Sequence, residues 1–177
     1  MTPLKPIVAI DGPAGSGKST VAKIIARKLN LFYIDTGAMY RCLALKAKEA
    51  GVSPLDTERL AQIAGQSDIG MSYDPQNGHL RVTLDGRDVS EEIRRPDVTQ
   101  HVSDIAKIKE VRAHLVALQR KLAEGKRAIL EGRDIATIVF PDAYKKFFLD
   151  ARPEERVKRR FLEMKQKNVP VDESRIK

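Results

Sequence analysis

Eight consecutive residues, Gly12-Pro13-Ala14-Gly15-Ser16-Gly17-Lys18-Ser19, have the types and spacing of a phosphate cradle, G-x-x-x-x-G-K-[ST]. Glycines let a backbone wrap until its N–H groups point inward at phosphate oxygens. A helix that follows aims its positive end at the same place. In such a cradle Lys18 reaches the terminal phosphates and Ser19 can hold Mg²⁺. The plainer reading is a glycine-rich turn with a solvated lysine; an apolar run before it and an amphipathic segment after it argue against that. A second cluster, Asp35-Thr36-Gly37-Ala38-Met39-Tyr40-Arg41, follows another apolar run and opens a helix. Thr36 is the expected N-cap. Arg41, one turn in, can grip a second phosphate bidentately; taken alone it reads as readily as a surface cation.

These residues need elements to hold them. Ile7-Val8-Ala9-Ile10 ends abruptly in Asp11-Gly12-Pro13 and reads as a buried strand. From Ser19 to Leu29, the spacing of Val21, Ile24, Ile25 and Leu29 predicts a helix with those four facing inward. Leu31–Ile34 predicts a second strand, and Met39, Leu43 and Ala47 one face of the next helix. A weaker helix is expected over Thr57–Ala64. Between Ile69 and Val89, Leu80, Val82 and Leu84 alternate between Asn77-Gly78 and Asp85-Gly86, predicting a small antiparallel meander. After Arg94-Arg95-Pro96, the stripe Val111, Leu115, Leu118 and Leu122 predicts a helix stopped at Gly125. Strands are expected at Arg127–Glu131, ending in Gly132-Arg133-Asp134, and at Lys146–Leu149, ending in Asp150. Pro153 suits the first turn of a last helix. Strands alternating with helices make a parallel α/β sheet, and ligands of such sheets bind beyond the carboxyl ends of the strands. Asp-Gly-Pro, Asp-Thr-Gly and Gly-Arg-Asp should therefore converge on one crevice.

Composition narrows the class. The 177 residues suit one domain with a small insertion, at about 100–200 residues per domain. With 42% hydrophobic and 32% charged residues, disordered and collagen-like chains are excluded. One cysteine, Cys42, excludes an internal disulfide and reads as a small core residue. His79, His101 and His114 have no metal-ligand spacing. No apolar run nears the roughly 18 residues of a membrane helix, and no signal peptide is evident, so a cytoplasmic protein is expected. The net charge of +8 favours an anionic partner. Residues 151–177 carry nine basic side chains against five acidic ones, half of that excess.

Together, I-D-G-P-A-G-S-G-K-S-T, D-T-G-A-M-Y-R and E-G-R-D-I-A-T-I-V-F-P-D-A resemble the bacterial cytidylate kinases. The resemblance implies an α/β, P-loop three-layer sandwich, its parallel sheet flanked by helices, with a small antiparallel β insert. Residues 1–65 and 96–150 would form the core, 66–95 the monophosphate-binding insert and 151–177 a basic lid. The family's pattern continues past Lys177 with a further strand and helix. The implied reaction moves the γ-phosphoryl of ATP to CMP or dCMP, with Mg²⁺ near Ser19. Gly12, Pro13, Ala14, Gly15, Ser16, Gly17, Lys18, Ser19 and Thr20 would bind ATP, with Arg156 and Arg160, and Arg159 beside them, closing from the lid. Lys18, Arg41 and Arg133 would be the catalytic cations. Thr36 would lie beside the acceptor, Arg41 and Arg133 on its phosphate, and Ser103, Arg112 and Asp134 on cytosine. Asp35 and Glu131 are candidates for holding metal-bound water, whereas Asp11 reads as shaping its strand end.

The cytosine set makes chemical sense. Asp134 can accept from the exocyclic amine, and Arg112 and Ser103 can donate to O2 and N3. Uracil would leave Asp134 unpaired, at a cost of about 1–3 kcal/mol. By type alone Ser103 reads as a helix-surface residue, Arg112 as an exposed cation and Asp134 as a cap. The expected partners are free mononucleotides, with no nucleic acid, no membrane and a monomeric state. Rival readings are another P-loop small-molecule kinase and an ATP-dependent nucleic-acid module. The second needs stacking aromatics, which at 5% are scarce.

Overall fold

The computed structural model describes residues 5–166. A four-stranded sheet is built from β1 (Lys5–Asp11), β2 (Phe32–Asp35), β6 (Ala128–Gly132) and β7 (Ala143–Phe148). Its order is β2-β6-β1-β7 and every pairing is parallel. Ala128, Ile129 and Leu130 of β6 and Ala9 and Ile10 of β1 are buried, the near-continuous apolar runs of a sheet covered on both faces. The register sets Asp11 beside Gly132 and Asp35 beside Glu131, so the carboxyl ends of three strands share one edge.

Helices α1 (Lys18–Leu29), α2 (Thr36–Glu49), α3 (Thr57–Gly65) and α6 (Lys109–Ala123) are the long ones of the core, with one-turn helices α4 (Pro96–Thr99) and α5 (Val102–Ile105) before α6. Helix α7 (Pro153–Gln166) follows β7. Among the described residues, no helix is long and apolar enough to cross a membrane. The antiparallel meander consists of β3 (Ile69–Asp74), β4 (His79–Leu84) and β5 (Arg87–Asp88). Leu84 pairs with Arg87 across Asp85-Gly86, both at positive φ (50° and 81°), as a two-residue hairpin turn requires. Leu80, Val82 and Leu84 are buried, as their alternation predicts, and join the core cluster of Leu43, Leu60 and Leu115.

Two local expectations fail. Helix α1 does not bury Val21, Ile24 and Leu29, which are 37%, 50% and 54% exposed; it buries Lys18, Ala22 and Ala26. Alanines four apart let the helix lie close to the sheet, and the cradle fixes its first turn so that Lys18 faces inward. The bulky stripe is thereby rotated outward, Ile25 alone of the four packing against the core. At α2 the N-cap is Asp35, whose Oδ1 accepts from Ala38 N at 3.0 Å. Thr36 is the first helical residue, and its hydroxyl instead donates to the Glu131 carbonyl at 2.7 Å.

Candidate active site

The cradle connects β1 to α1. A side chain at Gly12 (φ 150°) would run into the Leu149 carbonyl, where the chain after β7 crosses the loop. Gly17 (φ 96°) caps α1 in a left-handed conformation that other residues adopt only with strain. Ser16 Oγ is buried with no partner among the described residues. Lys18 is buried, and its ammonium donates to the Pro13 carbonyl at 2.7 Å. Burial holds its pKa below the ordinary 10.5, with Glu131 pulling the other way and Arg133 adding to the depression. The cradle's amine and Arg133 therefore feel one another, although they come from different strand ends. Thr20 is exposed on the first turn of α1.

Glu131, at the end of β6, is the hub beneath the cradle. Its Oε2 accepts from Ser19 Oγ at 2.9 Å and its Oε1 from the Tyr33 hydroxyl. Burial, with the Asp35 charge beside it, raises its pKa above the usual carboxylate value, and the bonds from Tyr33 and Ser19 oppose the rise. Asp35 carries two loads: Oδ1 caps α2, and Oδ2 meets Arg41 Nη2 at 2.7 Å. Arg41 Nε is buried and unpaired among the described residues. Asp11 accepts from Ile135 N and Ala136 N, both at 2.8 Å, and so anchors the single π-helical turn Ile135–Val139. That turn begins directly after Arg133 and Asp134. Arg133 is exposed and makes no ion pair among the described residues, whereas Asp134 pairs with Arg112 of α6. Tyr40 lies near that pair, its phenol pushed up by burial.

The strand ends thus gather Lys18, Ser19, Asp35, Arg41, Glu131 and Arg133, and set Arg112 against Asp134. Thr36 is brought to Glu131 by the bond already described. Ser103 stands apart: it is exposed on α5, with no hydrogen bond to the Arg112–Asp134 pair. From α7, Arg156 Nε donates to the Ala14 carbonyl at 2.9 Å and Arg159 Nη1 to the Gly15 carbonyl at 3.1 Å. Both grip the cradle's outward carbonyls. The Arg160 side chain and residues 167–177 of the expected lid lie outside the described residues. Arg159, named with Arg156 among the lid candidates, contacts the cradle beside it, whereas the role of Tyr33 was missed from sequence. The signal for Tyr33 is a lone phenol within a buried strand, which must find a hydrogen-bond partner.

The donor set fits a bound polyanion. Glycine backbone, a buried ammonium and an unpartnered hydroxyl converge at the cradle, and Arg41, held by Asp35, keeps an unused N–H among the described residues. A sequence model of the cytidylate kinase family matches residues 8–177. The chain belongs to the cytidylate kinase family. A cytidylate kinase of Caldanaerobacter subterraneus subsp. tengcongensis is 53% identical over 164 residues, covering 93% of this chain and 70% of that protein. One of Caldicellulosiruptor bescii is 50% identical over 165 residues, covering 93% and 72%. One of Pelotomaculum thermopropionicum is 49% identical over 171 residues, covering 97% and 75%. Membership in the cytidylate kinases accounts for a chain that pairs a phosphate cradle with a second set of arginines.

Proposed function

We propose that the chain transfers the γ-phosphoryl group of ATP to CMP or dCMP, giving ADP and CDP or dCDP. The observation that supports this reading best is the electrostatic proximity of two cation sets. Lys18 feels Glu131, Arg133 and Asp35, and Asp35 in turn holds Arg41. Gly12 through Thr20 bind the ATP phosphates, and Ser19, oriented by Glu131, holds Mg²⁺. When bound, Mg²⁺ offsets the charge of the ATP phosphates. Arg41 and Arg133 hold the acceptor phosphate in line with the γ-phosphorus, and Thr36 lies beside it. An acceptor oxygen attacks, the bond to the β–γ bridging oxygen breaks, and ADP leaves with that electron pair. The acceptor is already ionised, so the protein supplies alignment and charge neutralisation rather than a strong base. Asp134 and Arg112 read cytosine, with Ser103 as the third member of that set, and closure of the lid and of the insert formed by 66–95 excludes water. Segment 151–177 acts as the lid, with Arg156 and Arg160 closing over ATP.

The protein is expected to act as a cytoplasmic monomer on free mononucleotides. A coupled ADP-release assay tests the reading. CMP and dCMP should be phosphorylated at least about tenfold more efficiently than UMP, because uracil offers Asp134 no amine and forfeits a hydrogen bond to a charged group, about 1.5–3 kcal/mol. Equal rates with AMP would sink the assignment.

A further inference from the structure

Tyr33 is 1% exposed, in β2 two residues before Asp35. Its hydroxyl donates to Oε1 of Glu131, a residue 98 positions away. The other oxygen of the same carboxylate takes the Ser19 proton, at 2.9 Å. A hydroxyl that donates its one proton backwards presents its lone pairs forward. Ser19 is therefore turned to offer oxygen, not hydrogen, to the cleft, which is what a hard cation needs. The direction of that hydroxyl depends on where Glu131 is held, and Tyr33 holds it.

The ring of Tyr33 is itself fixed. Tyr73 of β3 stacks on it edge-on, with centroids 5.2 Å apart and planes at 66°. The Tyr73 hydroxyl donates to the Lys23 carbonyl of α1 at 3.3 Å, and the Lys23 ammonium lies 5.9 Å from the Tyr33 centroid. Burial, with the charges of Asp35 and Glu131, keeps the Tyr33 phenol protonated well beyond physiological pH, so it serves as a donor throughout.

We propose that Tyr33 is a positioning residue for the divalent cation: it fixes Glu131 so that Ser19 turns its lone pairs toward Mg²⁺ bound with ATP. The proposal rests on the reading of the cradle as a Mg·ATP site. Tyr33→Phe keeps the ring and removes the hydroxyl. Calorimetry should show ATP binding with Mg²⁺ weakened about tenfold, the low end of the cost of losing an outer partner of a metal ligand. ATP binding in EDTA should stay at the wild-type value. An equal loss in both conditions would mean a general structural defect and overturns the proposal. Glu131→Ala should show the same Mg²⁺-specific loss, and Tyr33→Phe added to it should change nothing further, because the two act through one bond. Independent losses in that background overturn the proposal, and this comparison holds even where the single Tyr33 variant fails to fold beside an unpaired carboxylate. Wild-type protein that binds ATP no better with Mg²⁺ than in EDTA would instead refute the cradle reading, and the proposal with it.

Discussion

On the cradle side of the cleft Lys18, Arg156 and Arg159 all donate to backbone carbonyls, those of Pro13, Ala14 and Gly15. On the opposite side Arg41 and Arg112 are paired with carboxylates, Asp35 and Asp134. A carbonyl is a dipole, so a cation resting on it keeps its full charge. A carboxylate neutralises its partner, so a ligand arriving beside the exposed Arg133 must share Arg41 and Arg112 with their carboxylates to bind them. The first arrangement attracts polyanions with little discrimination. The second discriminates, since a ligand that cannot replace what it displaces leaves a charged group unpaired, at about 1–3 kcal/mol or more. A kinase needs both: one nucleoside triphosphate is held by its phosphates, and one monophosphate must be told from its relatives.

The largest expected effect comes from breaking the cradle side. Lys18→Met removes the buried cation that the proposed mechanism sets against the developing phosphate charge. Its kcat should fall about a hundredfold to a thousandfold, the usual cost of losing one such group, with the CMP concentration at half-saturation little changed. A coupled assay varying ATP and CMP separately checks both parts. Loss of CMP saturation instead would mean that the two sides are not separate.

Breaking the other side should be milder and fall on the acceptor. Arg41→Ala removes one charge-assisted contact and should lower kcat/KM for CMP about tenfold to a hundredfold, from about 1.5–3 kcal/mol for such a bond. The KM for ATP should hold. An unchanged kcat/KM for CMP would remove Arg41 from the acceptor wall. Asp35 can keep capping α2 in that variant, since its capping oxygen is Oδ1 and the Arg41 pair uses Oδ2.

The contrast between the two sides also marks what a sequence discloses. The cradle and the Asp35–Arg41 segment are legible because their chemistry is written in contiguous residues with fixed spacing. The Asp85-Gly86 turn is legible because its backbone admits few other residue types. The face of α1 is not, because apolar periodicity weighs bulk, and alanines chosen for close approach weigh little. Asp35 and Thr36 are both good caps by type, and only the geometry of the strand end decides between them. Glu131 with Tyr33 and Asp11 with Ile135 are pairings across 98 and 124 residues. They exist because the sheet order sets β6 between β1 and β2, which no local pattern encodes.

The smallest expected effect asks whether the cradle's full charge carries a cost when no phosphate is bound. The unfolded Lys18 titrates at its ordinary 10.5, and the folded one, depressed by burial, titrates lower. Between the two values the unfolded chain binds more protons, so this residue makes the native state more stable as pH rises through that window. Below it, the buried ammonium costs stability in full. Lys18→Met removes the charge and keeps the length, so the variant should be the more stable protein at neutral pH while being the less active one. Its advantage should shrink as pH rises toward 10.5. Denaturant unfolding of both proteins across that range measures the gap. A gap that stays constant with pH would mean that the Pro13 carbonyl compensates the ammonium for its lost water, and that the cradle is at rest without its ligand.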